Sequence, residues 1–343
     1  MIAGRKMSRR EMLQLSGATA SLTLSGCARK SNADCVTIVN TAGNFAATVQ
    51  QLMKDKRYLE ELGLQPKFIS VGDGSKIVGA LLSGEADICT ASGFGQVLPA
   101  IERGGNLKVL AGSEVLLLHL IYSCRPQIKS LKDLEGRTVG TGSLGALLHS
   151  ITVALLRKNN VDPARITFVN VGSSADVFRA VAAKIVDAGP SELDYLQQAD
   201  KYTVHGLEGG NFWEGLPEYT NQAAYASERA IRERRDVLVR TLAAYSNLYR
   251  FISSPQSRDE YVAARATALG RDEREEALAQ WDFFQRHTSF AVDLVLSRER
   301  IGYMQQLNLS LGVQKSLLPY EKVSDMSLAQ DALKLLAGSR NES

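Results

Sequence analysis

The chain has 343 residues, 45% hydrophobic and 22% charged, with a formal net charge of +3 and four cysteines. That composition excludes a disordered chain, and the length allows two domains of ordinary size. Arg5, Lys6, Arg9 and Arg10 against Glu11 put a net +3 into residues 1–26, so residues 27–343 are close to neutral. No basic stripe is left to track phosphates, and no nucleic-acid partner is expected.

The first residues carry two signals. Ser8-Arg9-Arg10 with Met12-Leu13 behind it reads as a twin-arginine export signal. Leu24-Ser25-Gly26-Cys27 reads as a lipoprotein cleavage box. Small residues precede the scissile bond, and Cys27 offers the thiol for diacylglyceryl transfer. Residues 12–26 are too short and too polar for a membrane span, which needs about 20 apolar residues. The expectation is a signal peptide over 1–26, a tether over 27–35, and a lipid on Cys27 that holds the protein to a membrane in the periplasm or cell envelope.

Residues 36–39 predict a β-branched strand and residues 41–44 a turn. A helix follows from Phe45, with Val49, Leu52, Leu59 and Leu62 on its stripe and Gly63 after its end. Strands are predicted at 68–71, 86–90, 107–110 and 115–122, with helices from Gly74 through Leu82 and over 93–103. This alternation argues a doubly wound α/β unit. A second α/β unit begins near Arg125-Pro126. It has a capped turn at 130–134, strands at 137–140, 166–171, 186–189 and 204–207, and helices over 145–159, 175–183 and 191–198. After a loop at 209–218, a strand at 222–226 returns toward the first unit. The rest is helical, over 230–253, 257–269, 273–286, 297–309 and 327–336.

Several segments, in order, resemble a known family. Tyr58-Leu59-Glu60-Glu61-Leu62-Gly63-Leu64, Ala80-Leu81-Leu82-Ser83-Gly84-Glu85-Ala86-Asp87-Ile88 and the run from Ile128 to Gly140 are similar to signatures of extracytoplasmic solute-binding proteins of the nitrate/sulfonate/taurine and thiamine-precursor group. Ile185-Val186-Asp187-Ala188 resembles a further strand of that family, with Lys184 where glycine is usual, and Leu318–Asp325 a common C-terminal segment. The resemblance implies a type II periplasmic-binding-protein fold: two doubly wound α/β lobes with a ligand cleft, and a helical C-terminal region packed on lobe one. Lobe one would take residues 36–122 and 219–343 and lobe two residues 123–218, with crossings near 122–125 and 216–221. It further implies a monomer that delivers a small organic solute (a sulfonate, aromatic acid or pyrimidine-like molecule) to a membrane ABC permease. The alternatives are an enzyme on the same fold, dehydratase-like or resembling the thiamine-pyrimidine synthase, and a ligand-sensing domain. The turn Thr41-Ala42-Gly43-Asn44-Phe45 departs from the family's aromatic-rich loop, so ligand identity does not carry over.

Ligands in open α/β sheets sit outside the carboxyl ends of strands. Asn44, with a donor and an acceptor, and Ser92 and Gly93 are therefore candidates from lobe one. Asn44 also suits a helix cap. In lobe two, Gly140-Thr141-Gly142-Ser143-Leu144-Gly145 has the spacing of a dinucleotide loop, but no acid ends the next strand. The better reading is a helix N-terminus at which Ser143, Leu144 and Gly145 meet a polar head, or an ordinary helix start. Glu192 ends a strand, where it either faces the cleft or complements a helix dipole. His119 lies in an apolar run and suits the core more than a ligand. Phe212-Trp213 either stacks on a flat ligand or packs its own loop.

No nucleophile elbow, phosphate loop or metal-ligand spacing occurs, so no catalytic residue, cofactor or metal is expected. With Cys27 lipidated, Cys35, Cys89 and Cys124 remain. An odd number argues against a full disulfide framework, though a Cys89–Cys124 pair stays open. Cys27→Ser is expected to abolish lipidation. Palmitate labelling of the variant at the wild-type level would disprove the cleavage-box reading.

Overall fold

The computed structural model describes residues 34–72 and 74–341. The arginine pair, the cleavage box and Cys27 lie outside the described residues. No helix among the described residues is long and apolar enough to cross a membrane.

Among the described residues ten strands occur: β1 (Cys35–Thr41), β2 (Gln65–Val71), β3 (Cys89–Ser92), β4 (Leu107–Gly112), β5 (His119–Ser123), β6 (Thr138–Thr141), β7 (Thr167–Asn170), β8 (Ala188–Glu192), β9 (His205–Asn211) and β10 (Ala223–Ser227). β1 and β2 pair in parallel from Cys35 opposite Gln65 to Thr41 opposite Val71. β10 lies between β3 and β4, antiparallel to both. The Ile38–Ile88 bridge and the 2.9 Å bond from the Val39 N–H to the Ile88 carbonyl set β1 beside β3. The first layer therefore runs β2-β1-β3-β10-β4. The second runs β7-β6-β8-β5-β9, with β5 antiparallel to β8 and β9. Each layer thus holds one antiparallel strand in the same relative place; β5 opens the stretch that forms the second layer, and β10 returns to the first layer after it.

The first crossing lies earlier than the sequence suggested. The strand expected at 115–122 as the last of lobe one is split. Its second half is β5, inside the second sheet. Its first half is a buried connection in which the Val115 N–H donates to the Ser289 carbonyl and the Leu118 carbonyl accepts from Leu193. A continuous apolar run marks burial, not sheet membership. The chain returns through residues 216–222 to β10.

An aspartate locks each layer. Asp87 accepts from the Thr37 N–H of β1 at 2.7 Å and from Arg234 at 3.1 Å. Asp187 accepts from the Thr138 N–H of β6 at 3.1 Å and from Arg125 at 2.8 Å. Three residues before each aspartate the backbone turns left-handed, at Gly84 (φ 78°) and Lys184 (φ 61°). The φ of 78° favours glycine at Gly84, and a Cβ there would also push aside the guanidinium of the exposed Arg229. Lys184 tolerates the geometry without that neighbour.

The helix Arg235–Ile252 packs on β1 and on the helix Asn44–Lys56, Arg258–Leu269 packs on Asn44–Lys56, and Ser327–Asn341 packs on β4 and on Arg235–Ile252. Arg235–Ile252 buries Leu238, Leu242, Tyr245, Leu248, Tyr249 and Ile252, a stripe at the spacing of helical turns. The helix Arg274–Arg286 packs on the 3₁₀ segment Leu193–Gln198 that follows β8. There Arg265, 1% exposed, reaches Asp194 and Glu273 at 2.7 Å each and Gln280 at 3.0 Å.

Lys184→Gly removes the cost of a side chain at positive φ and is expected to raise stability by roughly 0.5–1 kcal/mol; a lower midpoint in urea would contradict it. Arg265→Met strands two buried carboxylates and is expected to lose about 3–5 kcal/mol. The double variant with Asp194→Leu should recover part of that loss, and a double variant no more stable than the single would refute the ion-pair account.

Candidate functional site

Between the two layers lies a cleft of about 390 Å³. Lobe one lines it with residues 41–46 after β1, Gly72 and Gly74 after β2, and Gly93 and Gln96 after β3. Lobe two supplies Gly142 and residues 146–148 after β6, residues 172–174 after β7, and Glu192 at the end of β8. Both crossings border it, with Glu114, Leu118 and His119 from the first and Asn221 and Gln222 from the second. The lining therefore gathers at strand carboxyl ends, where chain reversals leave room for a ligand. A smaller space of about 180 Å³ shares Thr41, Gly93 and Leu147 with it and is also lined by Gly145.

The candidate residues fall in different places. Asn44 lines the cleft, and also a 610 Å³ cavity walled by Phe178, Tyr195 and Arg265. Asn44 opens its helix rather than capping it. The N-cap is Gly43, which has no side chain to satisfy the first N–H groups. Gly93 lines both the cleft and the smaller space. Ser92 is fully buried; its Oγ accepts from the Thr41 N–H at 2.9 Å and donates to Asn40, so it ties β3 to β1. Ser143 is exposed and accepts from the Asn170 amide at 3.2 Å, and Leu144 is 72% exposed; neither lines these cavities. The helix starts at Leu147, two residues later than expected, behind Ala146 with no side-chain cap. Gly145 holds φ 81° and its N–H donates to His149 Nδ1 at 3.1 Å. Glu192 lines the cleft.

His119 is 8% exposed yet borders the cleft, and its Nδ1 has no partner. Phe212 is buried and Trp213 packs against Phe283, so neither lines the cleft. Cys35, Cys89 and Cys124 are free thiols outside the lining. Burial pushes the Cys89 thiol up to about 11.

The residues that sequence reasoning missed are Glu114, Asn221, Gln222 and Gln96. The one visible signal was Glu114, a lone acid heading the apolar run from Val115 to Leu118. Burial pushes its carboxyl up to about 8, against the pull of the Asn221 amide that donates to it at 2.5 Å, and the Glu192 charge adds to the rise. Glu192 keeps some surface open to the cleft but is otherwise enclosed. Burial pushes it to about 8 as well, with Asp194 adding and Arg265 opposing. Burial lowers His119 to about 4. At neutral pH this wall therefore holds a neutral imidazole and two carboxyls poised to give up a proton. Among the described residues no lysine or arginine lines the cleft, and no group is placed to hold a metal.

Solved structures share this architecture at low sequence identity. The periplasmic aliphatic sulphonate binding protein SsuA from Escherichia coli superposes with a TM-score of 0.69 at 17% identity, covering 85% of this chain and 92% of that one. The alkanesulfonate-binding protein SsuA from Xanthomonas axonopodis pv. citri, bound to MOPS, gives 0.67 at 17% identity over 84% and 98%. The desulfurization enzyme DSZB gives 0.60 at 16% identity over 88% and 99%. A search of curated proteins returns no match. These likenesses identify the periplasmic-binding-protein fold. The NMT1/THI5-like family profile matches residues 44–257, which hold both locking aspartates and most of the cleft, and the chain belongs to that family.

Proposed function

We propose that this protein is an extracytoplasmic solute-binding protein, anchored by a lipid on Cys27, that closes its lobes on a small organic solute and presents it to an ABC importer. The cleft carries the reading. It is of ligand size, lies between two layers joined by two crossings, and is bordered by residues from both. Closure about such crossings buries the ligand and gives a permease two shapes to tell apart. The uncapped starts of the helices Asn44–Lys56 and Leu147–Lys158 offer N–H groups from opposite sides. The sulfonate-binding neighbours support the same reading.

An enzyme on this fold is the second reading, favoured by the likeness to DSZB. Among the described lining residues, Glu114 and Glu192 titrate near neutral pH while His119 stays neutral, and Ser174 meets Glu192 at its backbone N–H, not at the carboxyl that would activate a nucleophile. The two readings part on turnover: a binding protein returns its solute unchanged.

Gly93 is exposed at the cleft, and the nearest atom to a Cβ there is the Asn221 carbonyl at 3.6 Å. Gly93→Leu should therefore fold and block the site. Binding of any solute that stabilises the wild type is expected to weaken about 100-fold, which is about 2.7 kcal/mol. Calorimetry measures the affinity, and small-angle scattering measures closure. Chemical conversion of the solute by the purified protein, or full binding by the Gly93→Leu variant, would overturn the proposal.

A further inference from the structure

We propose that the solute is a small organic cation whose ammonium or amidinium group docks against Glu114, Glu192 and His119. This rests on the solute-binding reading and names the chemistry that the same cleft selects.

Once ionised, the carboxyls of this wall have no free counter-charge beside them. Glu114 and Glu192 face the cleft, and Asp194 and Glu273 stand behind Glu192. Behind Glu192 the buried Arg265 is already committed to Asp194 and Glu273. Arg271 is exposed at the rim and pairs with Glu273. The phenols next to these carboxyls, Tyr195, Tyr249 and Tyr261, are all held neutral by burial. His119, neutral above about pH 4, brings no positive charge.

The wall also holds buried polar atoms that no donor of the protein reaches. His119 and Glu192 are direct cross-strand partners of β5 and β8, and Glu114 lines the same cleft. His119 Nδ1, in a side chain more than nine-tenths buried, has no partner, and neither has Gln222 Oε1. A ligand rich in N–H groups meets both deficits. An anion would have to hold both carboxyls protonated, so its affinity would fall as the pH rises. A metal ion would need a tighter ligand cluster than the described residues provide. An organic cation spreads its donors over several acceptors, while the uncapped helix starts across the cleft take any carbonyl or hydroxyl it carries.

The sign of the pH dependence follows. A cation binds the ionised carboxyls, and both titrate near 8 in the free protein. Binding therefore releases protons below pH 8, and affinity rises with pH by up to about tenfold per unit for each proton released.

The test uses the full chain purified in detergent, with benzamidine, methylammonium and 1,4-diaminobutane against benzoate and benzenesulfonate. Calorimetry is run at pH 6 and pH 8. The expected result is that at least one cation binds, at least tenfold more tightly at pH 8, and that Glu192→Gln and Glu114→Gln each weaken it tenfold or more while both variants melt at or above the wild-type temperature. Binding of the anions but not the cations would overturn the charge proposal and leave the solute-binding reading standing. Cation binding indifferent to pH and to both glutamine variants would overturn it too. No binding by any probe, together with no closure in scattering, would overturn both.

Discussion

Arg265 is the contact on which the arrangement of the cleft depends. It rises from a helix packed on lobe one and ends on Asp194, two residues beyond the strand that carries Glu192. A guanidinium so enclosed is tolerable only because carboxylates and an amide oxygen surround it. Its partners are thereby fixed in place, and so is the segment that brings Glu192 to the cleft. The same bond explains the local excess of negative charge. Arg265 is bonded to Asp194 and Glu273, and only its field, not a hydrogen bond, reaches Glu192.

The two lobes solve one problem twice. Each needs its third strand pinned beside its first, and each pins it with an aspartate that takes a backbone N–H from the first strand and an arginine that follows the antiparallel strand. The sequence shows the pair only faintly, as Ala86-Asp87 and Val186-Asp187. No repeat is visible between them because the residues that must match are the few that hydrogen-bond, while the rest need only be apolar. Lys184 in place of a glycine hides the likeness further.

Much of the architecture was legible beforehand. The strand and helix rhythm came from periodicity, and the helices after residue 228 from their apolar stripes. What periodicity could not tell was which sheet a strand joins, so the first crossing was expected several residues too late. The site was legible at strand ends, where Asn44, Gly93 and Glu192 line the cleft. It was less so where turns intervene. Ser143 and Leu144 look poised before a helix, but the turn through Gly145 carries them outward. Glu114 and Asn221 lie on the crossings, which have no local signature, and their pairing joins residues far apart in sequence.

The crossings also set an order in which the molecule can be built. The second layer is made from one continuous stretch, β5 to β9, and is complete once residue 211 has emerged. The first layer must wait for β10, which lies between β3 and β4. Until residue 227 is available, β3 and β4 have no strand between them, and their inner edges stay unpaired. A nascent chain therefore carries a finished second lobe ahead of an unfinished first one. That interval, with open strand edges, is when the chain is most exposed to misassembly during synthesis.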